Sequence, residues 1–234
     1  MSQFQGKVVM ITGAAGSLGR AVAEAFAKQG AKLALLDIDD ATLKRSFPNA
    51  KDSERVPVNL LDPASVGAAV DKAYAAAGRI DVLVNVAGGF RMGPPVHETP
   101  ADMWNLMMNL NSASVVNMAR AVVPRMIAAK GGKIVSVAAR AGLAGSANMG
   151  AYVASKSAVI RLTETMALEL REHNINVNCV MPSIIDTAPN RADMPSADFS
   201  KWVSPAALAD VIVFLASDAA RAIHGAAVPV SGLS

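Results

Sequence analysis

Residues 7–19 read KVVMITGAAGSLG, in which an apolar run ends at Thr12 and glycines follow at positions 13, 16 and 19. The next stretch, Ser17–Gln29, has the spacing of apolar side chains that is typical of a helix. A glycine-rich turn between a strand and a helix is the opening unit of doubly wound α/β sheets. We therefore searched the rest of the chain for further units of the same kind.

Strands and helices alternate along the whole chain. Short runs rich in β-branched residues predict seven strands at Lys7–Thr12, Lys32–Asp37, Arg55–Asn59, Val82–Asn85, Lys133–Val137, Asn176–Val180 and Ala227–Val230. Helical periodicity is found at Ser17–Gln29, Ala64–Ala77, Met103–Ala128, Tyr152–His173 and Pro205–Ala216. Strict alternation predicts an α/β fold of the Rossmann type, with a doubly wound parallel seven-stranded sheet and helices on both faces. We expect residues 1–234 to form a single domain.

Composition excludes several classes of protein. With 52% hydrophobic and 18% charged residues, the chain supplies a large core and is not disordered. The net charge is +3, but lysines and arginines form no run, so we expect no nucleic-acid partner. We also expect a cytoplasmic protein with no membrane span, because the single cysteine permits no internal disulfide and no signal or spanning segment is apparent. The spacing of the three histidines predicts no metal site.

Ligands of doubly wound sheets bind outside the carboxyl ends of the strands. There, Gly13 and Gly16 permit a tight turn, and the free N–H groups of the following helix favour a pyrophosphate. Asp37 ends the second strand, where its carboxylate would accept hydrogen bonds from an adenosine ribose and repel a 2′-phosphate. Ala15 adds no compensating cation, so these residues favour NAD over NADP. The alternatives are a purely structural turn and a solvated residue at the end of a strand.

Tyr152 and Lys156 lie four residues apart on a predicted helix, which places both side chains on one face. An ammonium beside a phenol stabilises the phenolate and lowers the tyrosine pKa. Tyr152 would then exchange a proton with a substrate while hydride passes to or from nicotinamide.

Together these motifs resemble the short-chain dehydrogenase/reductase family over nearly the whole chain. The matching pieces are Thr12 to Gly19, Asp37, Asp62, Asn85-Val86-Ala87-Gly88, Asn111, Tyr152-Val153-Ala154-Ser155-Lys156 and Pro182 through Thr187. The resemblance implies an NAD (NADH) site formed by Gly13, Ala15, Ser17, Leu18, Gly19, Asp37, Asp62, Asn85, Ala87, Gly88, Tyr152, Lys156, Pro182, Ile185 and Thr187. Within that site it implies that Asp62 meets the adenine, that Lys156 binds the nicotinamide ribose, and that Ile185 and Thr187 contact the nicotinamide end.

The resemblance has two further implications. Asn111 follows Trp104 by seven residues, the placement of the family's asparagine that kinks a helix and anchors a proton-relay water, although Asn109 lies nearby. Tyr152, Lys156 and Asn111 would thus be the catalytic residues. The long helices Met103–Ala128 and Tyr152–His173 would pair between the subunits of a homodimer or homotetramer.

One position departs from the family. Its catalytic serine is expected thirteen residues before the tyrosine, where this chain has Ala139. Loss of one hydrogen-bond donor to a developing alkoxide costs roughly 10²–10³ in rate. Ser136 falls inside a predicted strand, and Ser146 and Asn148 fall in a loop, so none is an obvious replacement.

Ala139 is also part of a narrower resemblance, to dihydropteridine reductases. It is supported by the segment 187–202, a methionine at Met149 three residues before the tyrosine, and an aromatic residue at Phe90. A quinonoid pterin accepts hydride into a conjugated ring, so charge need not collect on one oxygen. Phe90, Met92 and Met149 would stack on such a ring or would simply pack a loop.

Two other functions remain open from the sequence. One is a carbonyl or hydroxyl oxidoreductase of the ketone or 3-oxoacyl type, in which water or a backbone group replaces the serine. The other is an NAD-binding protein without turnover. We expect the irregular segments Gly88–Pro100 and Ser183–Ser204 to cover the substrate.

Overall fold

The seven predicted strands form one parallel sheet in a computed structural model that describes residues 2–49 and 53–234. The strands are β1 (Val8–Thr12), β2 (Lys32–Asp37), β3 (Ser53–Pro57), β4 (Val82–Asn85), β5 (Gly132–Val137), β6 (Ile175–Pro182) and β7 (Ala227–Val230). The helices are α1 (Ser17–Lys28), α2 (Asp40–Ser46), α3 (Pro63–Ala77), α4 (Ala101–Met108), α5 (Ser114–Ala128), α6 (Gly150–Leu170), α7 (Ala188–Asp193) and α8 (Pro205–Leu215). The strand order 3-2-1-4-5-6-7 confirms the predicted doubly wound fold.

The order of the strands reverses between β1 and β4, which are hydrogen-bonded neighbours. In sheets of this type the crevice for a ligand opens at such a reversal, beside the carboxyl ends of the strands. The glycine turn after β1 and the segment after β4 therefore lie at the same edge.

Helices cover both faces of the sheet. Side chains alternate along β1, so that Val9 and Ile11 pack with α1 and α8, while Met10 packs in the opposite layer with α3, α5 and α6. Both layers are apolar, which explains why the central strands β1 and β4 are buried at every position and hydrophobic at all but their last.

The structure differs from the predicted elements in three places. The predicted helix Met103–Ala128 is divided by a π-helical turn at Asn109–Ala113. Two short helices, α2 and α7, lie where the sequence analysis predicts no helix, and each begins with a side-chain cap, from Asp39 and Thr187. Helices of six or seven residues span fewer than two turns, too few to establish an apolar period.

Two features are absent from the described residues, a membrane-spanning helix and a cluster of metal-ligating side chains. No helix within them is long and apolar enough to cross a membrane. In the same part of the chain, no group of three or more histidine, cysteine, aspartate and glutamate side chains is arranged to hold a metal ion.

Candidate active site

The glycine turn packs directly on the segment that follows β4. Gly13 has a φ of +62°, and a Cβ there would lie 2.9 Å from the backbone nitrogen of Ala87. A Cβ on Gly19 would collide with the carbonyl oxygen of Gly13. The hydroxyl of Thr12 accepts hydrogen bonds from the amides of Val86 (3.1 Å) and Ala87 (3.2 Å). Only glycine permits this close approach of the two backbones.

The amino terminus of α1 is open to a ligand. Its N-cap residue is Gly16, and no side chain caps the first turn, where Ser17 and Leu18 lie. The free N–H groups and the helix dipole together favour an anion such as a pyrophosphate. The described residues therefore fit the phosphate part of a dinucleotide.

Asp37 is held in place at the end of β2. Its Oδ2 accepts a hydrogen bond from the amide of Ala15 (2.9 Å), and its Oδ1 accepts one from the amide of Ile38 (2.8 Å). This fixes an acidic group beside the glycine turn, where it suits a ribose diol better than a phosphate. Asp62 is exposed and caps α3 by accepting from the amide of Ala64 (2.9 Å), so its contact with adenine stays a prediction.

The π-helical turn buries Asn111 and leaves Asn109 exposed. Nδ2 of Asn111 donates to the carbonyl of Gly89 and to Oγ of Ser155, both at 3.0 Å. Its Oδ1 accepts from the amide of Gly89 at 2.9 Å. Asn111 thus connects the segment after β4 to the helix that carries Tyr152.

Lys156 is almost completely buried beneath the site. Its Nζ donates to the carbonyl of Val137 at 2.8 Å, and burial lowers its pKa to about 8. A Cβ on Gly88 would lie 2.7 Å from Oδ1 of Asn111 and 3.2 Å from Nζ of Lys156. The structure therefore brings Gly88, Asn111 and Lys156 together at the carboxyl ends of β4 and β5.

The pKa of Tyr152 moves in the direction opposite to the expected one. Burial raises it to about 12, because a low-dielectric environment disfavours the phenolate. The expectation that Lys156 lowers this pKa was wrong for this arrangement, since its ammonium donates to Val137 instead. The ring of Phe90 packs edge-on against that of Tyr152, with centroids 4.9 Å apart and planes at 88°. Burial therefore favours the neutral phenol at Tyr152.

Ala139 is 5% exposed and directly precedes the 3₁₀ turn at Arg140–Leu143. The hydroxyl of Ser136 lies on β5, fully buried, and accepts from Nδ2 of Asn85 at 3.1 Å. Ser146 and Asn148 lie exposed in the loop before α6. The Ser136 hydroxyl is thus occupied within the sheet, while Asn148 lines the same depression as Met149.

The segment after β6 forms another wall of the site. Pro182 is buried at the end of β6, Ile185 pairs with Val203 in an isolated parallel bridge, and Thr187 caps α7. Met149, the predicted substrate residue at the start of α6, lines a shallow depression between α6 and the segment after β4. Its contact with substrate stays a prediction.

A family model described as short chain dehydrogenase matches residues 7–197. The chain belongs to the short-chain dehydrogenase family. It is 36% identical over 245 aligned positions to a 3-oxoacyl-[acyl-carrier-protein] reductase from Thermotoga maritima, with 98% of each chain covered. It is 34% identical to a D-threitol dehydrogenase from Mycolicibacterium smegmatis, over 98% of this chain and 93% of that protein.

Solved structures agree with this assignment. NAD⁺-bound xylitol dehydrogenase superposes with a TM-score of 0.91 at 29% identity, over 98% of this chain and 99% of that chain. Carveol dehydrogenase from Mycobacterium avium in complex with NAD gives 0.91 at 28% identity, over 98% of each chain. This short-chain dehydrogenase is an NAD(H)-dependent oxidoreductase that acts on small molecules. The alternative of a binding protein without turnover is therefore set aside.

Two polar residues of this short-chain dehydrogenase, Thr12 and Ser155, belong to the quoted motifs but have roles that the sequence alone does not assign. Thr12 holds the segment after β4, and Ser155 accepts from Asn111 while donating to the carbonyl of Tyr152 at 2.7 Å. Both residues have recognisable positions in the sequence, because Thr12 is the last residue before the glycine turn and Ser155 lies between Tyr152 and Lys156. Their partners are distant in sequence, so only the fold reveals their roles.

Proposed function

We propose that this enzyme uses NADH to reduce a flat, conjugated heterocycle of the quinonoid dihydropterin type. The observation that carries the proposal is Ala139, a buried methyl group at the position where a carbonyl reductase of this family needs a hydroxyl. A conjugated ring spreads the charge that arrives with the hydride, so the missing donor costs little. A simple ketone would collect that charge on one oxygen and lose roughly 10²–10³ in rate.

The proton donor in this reaction is the phenol of Tyr152. Burial raises its pKa to about 12, so at neutral pH the phenol is protonated and has a proton to give. NADH, when bound, supplies the hydride, and Tyr152 supplies one proton to a ring nitrogen of the acceptor. The phenolate so formed lies one helical turn from Lys156 on α6, and the proton that Tyr152 has given is replaced from solvent.

Phe90 supports a flat substrate. The residue is 49% exposed beside Tyr152, so part of its side chain remains accessible next to the proposed proton donor. Aromatic rings stack on planar heterocycles through offset contacts that saturated substrates do not make. We infer that Phe90 and Met149 flank the acceptor.

The second candidate is a carbonyl or hydroxyl oxidoreductase, which the names of the relatives favour. Those relatives are named for 3-oxoacyl and polyol substrates. Their names support hydride transfer in general, whereas the support for a pterin substrate comes from the residues of the site. In this alternative, a water molecule or a backbone N–H group binds the substrate oxygen in place of the serine.

One assay separates the two candidates. NADH oxidation is followed with a quinonoid dihydropterin generated in the cuvette, beside ketones, aldehydes and 3-oxoacyl thioesters. We expect turnover of the pterin that Tyr152→Phe abolishes and that Ala139→Ser changes by less than about threefold. If the protein is a carbonyl reductase, Ala139→Ser instead raises ketone turnover, by up to roughly 10²–10³. Ser146→Ala is the control, and failure to accept any pterin refutes the proposal.

We also propose that residues 1–234 act as one unit that assembles as a homodimer or homotetramer through α5 and α6. Large apolar side chains on both helices support this, since Val116 and Leu168 are 38% and 65% exposed. Light scattering after gel filtration should give a multiple of the 24.1 kDa chain mass. Leu168→Glu should reduce that multiple, and a wild-type monomer would contradict the proposal. The cytoplasmic location stays a prediction of the sequence.

A further inference from the structure

The residues after β7 lie between the loops that follow β5 and β6. Nη1 of Arg140, in the β5 loop, donates to Oγ of Ser231 (3.2 Å) and to the carbonyl of Ser234 (3.1 Å). Oγ of Ser183, in the β6 loop, donates to the carbonyl of Ser231 (2.9 Å) and lies 2.8 Å from Oγ of Ser234. We call these four residues the clasp.

The clasp joins the two loops next to Ala139 and Pro182, two of the predicted site residues. Arg140 directly follows Ala139, and Ser183 directly follows Pro182. The β5 loop faces the acceptor, and the β6 loop leads to Ile185, which is expected at the nicotinamide end. The spacing of these loops therefore sets how the two reactants are aligned.

The clasp is anchored on a third side by the loop before α8. The amide of Leu233 donates to the carbonyl of Lys201 at 3.0 Å. Gly232, at a φ of +59°, passes so close that a Cβ would lie 2.8 Å from the same oxygen. The amide of Ser183 also donates to the carbonyl of Val230 at 3.1 Å. The residues that hold Arg140 and Ser183 are thus fixed themselves.

We propose that the clasp is a positioning element, which holds the β5 and β6 loops at the separation that hydride transfer needs. The enzyme lacks the serine hydroxyl that would tether the substrate from the β5 loop, so the position of that loop depends more on contacts behind it. A misplacement of about 1 Å in an active site can cost on the order of 10²-fold in rate. The proposal rests on NAD(H)-dependent turnover and not on which acceptor is natural.

The test begins with Arg140→Ala, which removes both hydrogen bonds from the β5 loop. With whichever acceptor the wild type reduces, we expect kcat to fall by at least about tenfold. The affinity for NADH should change less than about threefold, because the glycine turn and Asp37 hold the distant adenosine end. Both bonds come from one nitrogen, and a lysine side chain carries its nitrogen only one bond short of that position, so Arg140→Lys should restore part of the rate. Arg221→Ala is the control, an exposed arginine that donates to the carbonyl of Asp218 away from the site.

Two further measurements do not depend on turnover. Hydrogen exchange of the protein without added cofactor should speed up in Arg140→Ala across residues 139–143 and also across 183–187, which the substitution does not alter. Ser183→Ala should have the same effect from the other side. Because both variants release the same segment, the double variant should be little worse in kcat than the poorer single variant.

Three results would overturn the proposal. The first is a lowered melting temperature of Arg140→Ala with an unchanged kcat. The second is faster exchange confined to the β5 loop. The third is strict additivity of the two substitutions in kcat.

Discussion

The buried ammonium of Lys156 predicts an unusual dependence of stability on pH. Its pKa is about 8 in the folded protein against an ordinary value of 10.5, since burial disfavours the charged form. Between these values the unfolded chain binds more protons than the folded one, so the free energy of unfolding rises with pH. Below pH 8, burial of the charged Lys156 lowers the free energy of unfolding by about 3 kcal/mol. About 2.5 kcal/mol of this is regained between pH 7 and pH 10.

Urea unfolding of the wild type and of Lys156→Met at pH 7, 8, 9 and 10 measures this effect. Burial raises the pKa of Cys179 to about 11, which lowers stability above pH 9, but both proteins carry that thiol. The difference between the two proteins therefore isolates Lys156. We expect the wild type to gain about 2 kcal/mol or more on the variant by pH 10. A gain below about 1 kcal/mol would refute the burial of this ammonium.

Three more predictions concern single residues. Gly19→Ala should lower the free energy of unfolding, measured with urea, by about 1–3 kcal/mol, because the added Cβ collides with the glycine turn. Gly67→Ala, where a Cβ meets nothing within 4 Å, should not lower it. Asn111→Ala removes three hydrogen bonds made by a buried side chain and should cost about 2–4 kcal/mol, while Asn109→Ala, at an exposed position, should change stability by less than about 0.5 kcal/mol in the same assay. Asp37→Ala should raise kcat/KM for NADPH relative to NADH by about tenfold or more in steady-state kinetics, and an unchanged ratio would contradict the role assigned to its carboxylate.

The fold was predictable because its signals are local and repeated. Most strands are short apolar runs, β3 being the exception, and each long helix has three or more turns over which an apolar face is evident. The π-helical turn at Asn109–Ala113 is not evident from periodicity, because one extra residue in a helical turn leaves the apolar pattern of both flanking helices intact. The family resemblance, in contrast, implies a kink at Asn111. The short helix α7 likewise follows from a cap at Thr187 rather than from periodicity.

The site was predictable as a set of residues but not as an arrangement. Motif spacing selects Tyr152, Lys156 and Asn111, yet the pKa of Tyr152 depends on burial, which the sequence does not state. The clasp could not be predicted from the sequence for a related reason. Arg140 meets partners that lie 91 and 94 residues further along the chain, and only the sheet order brings these segments side by side.

Burial favours the uncharged form of both Tyr152 and Lys156. Burial pushes Tyr152 toward the neutral phenol and brings the pKa of Lys156 close to neutral pH, so the site carries less charge than the same residues would in water. A neutral phenol at Tyr152 has a proton to give, which is what the proposed reduction needs from it. With a methyl group at Ala139, we propose that the acceptor itself spreads the negative charge over its ring, and this links the missing serine to the proposed substrate.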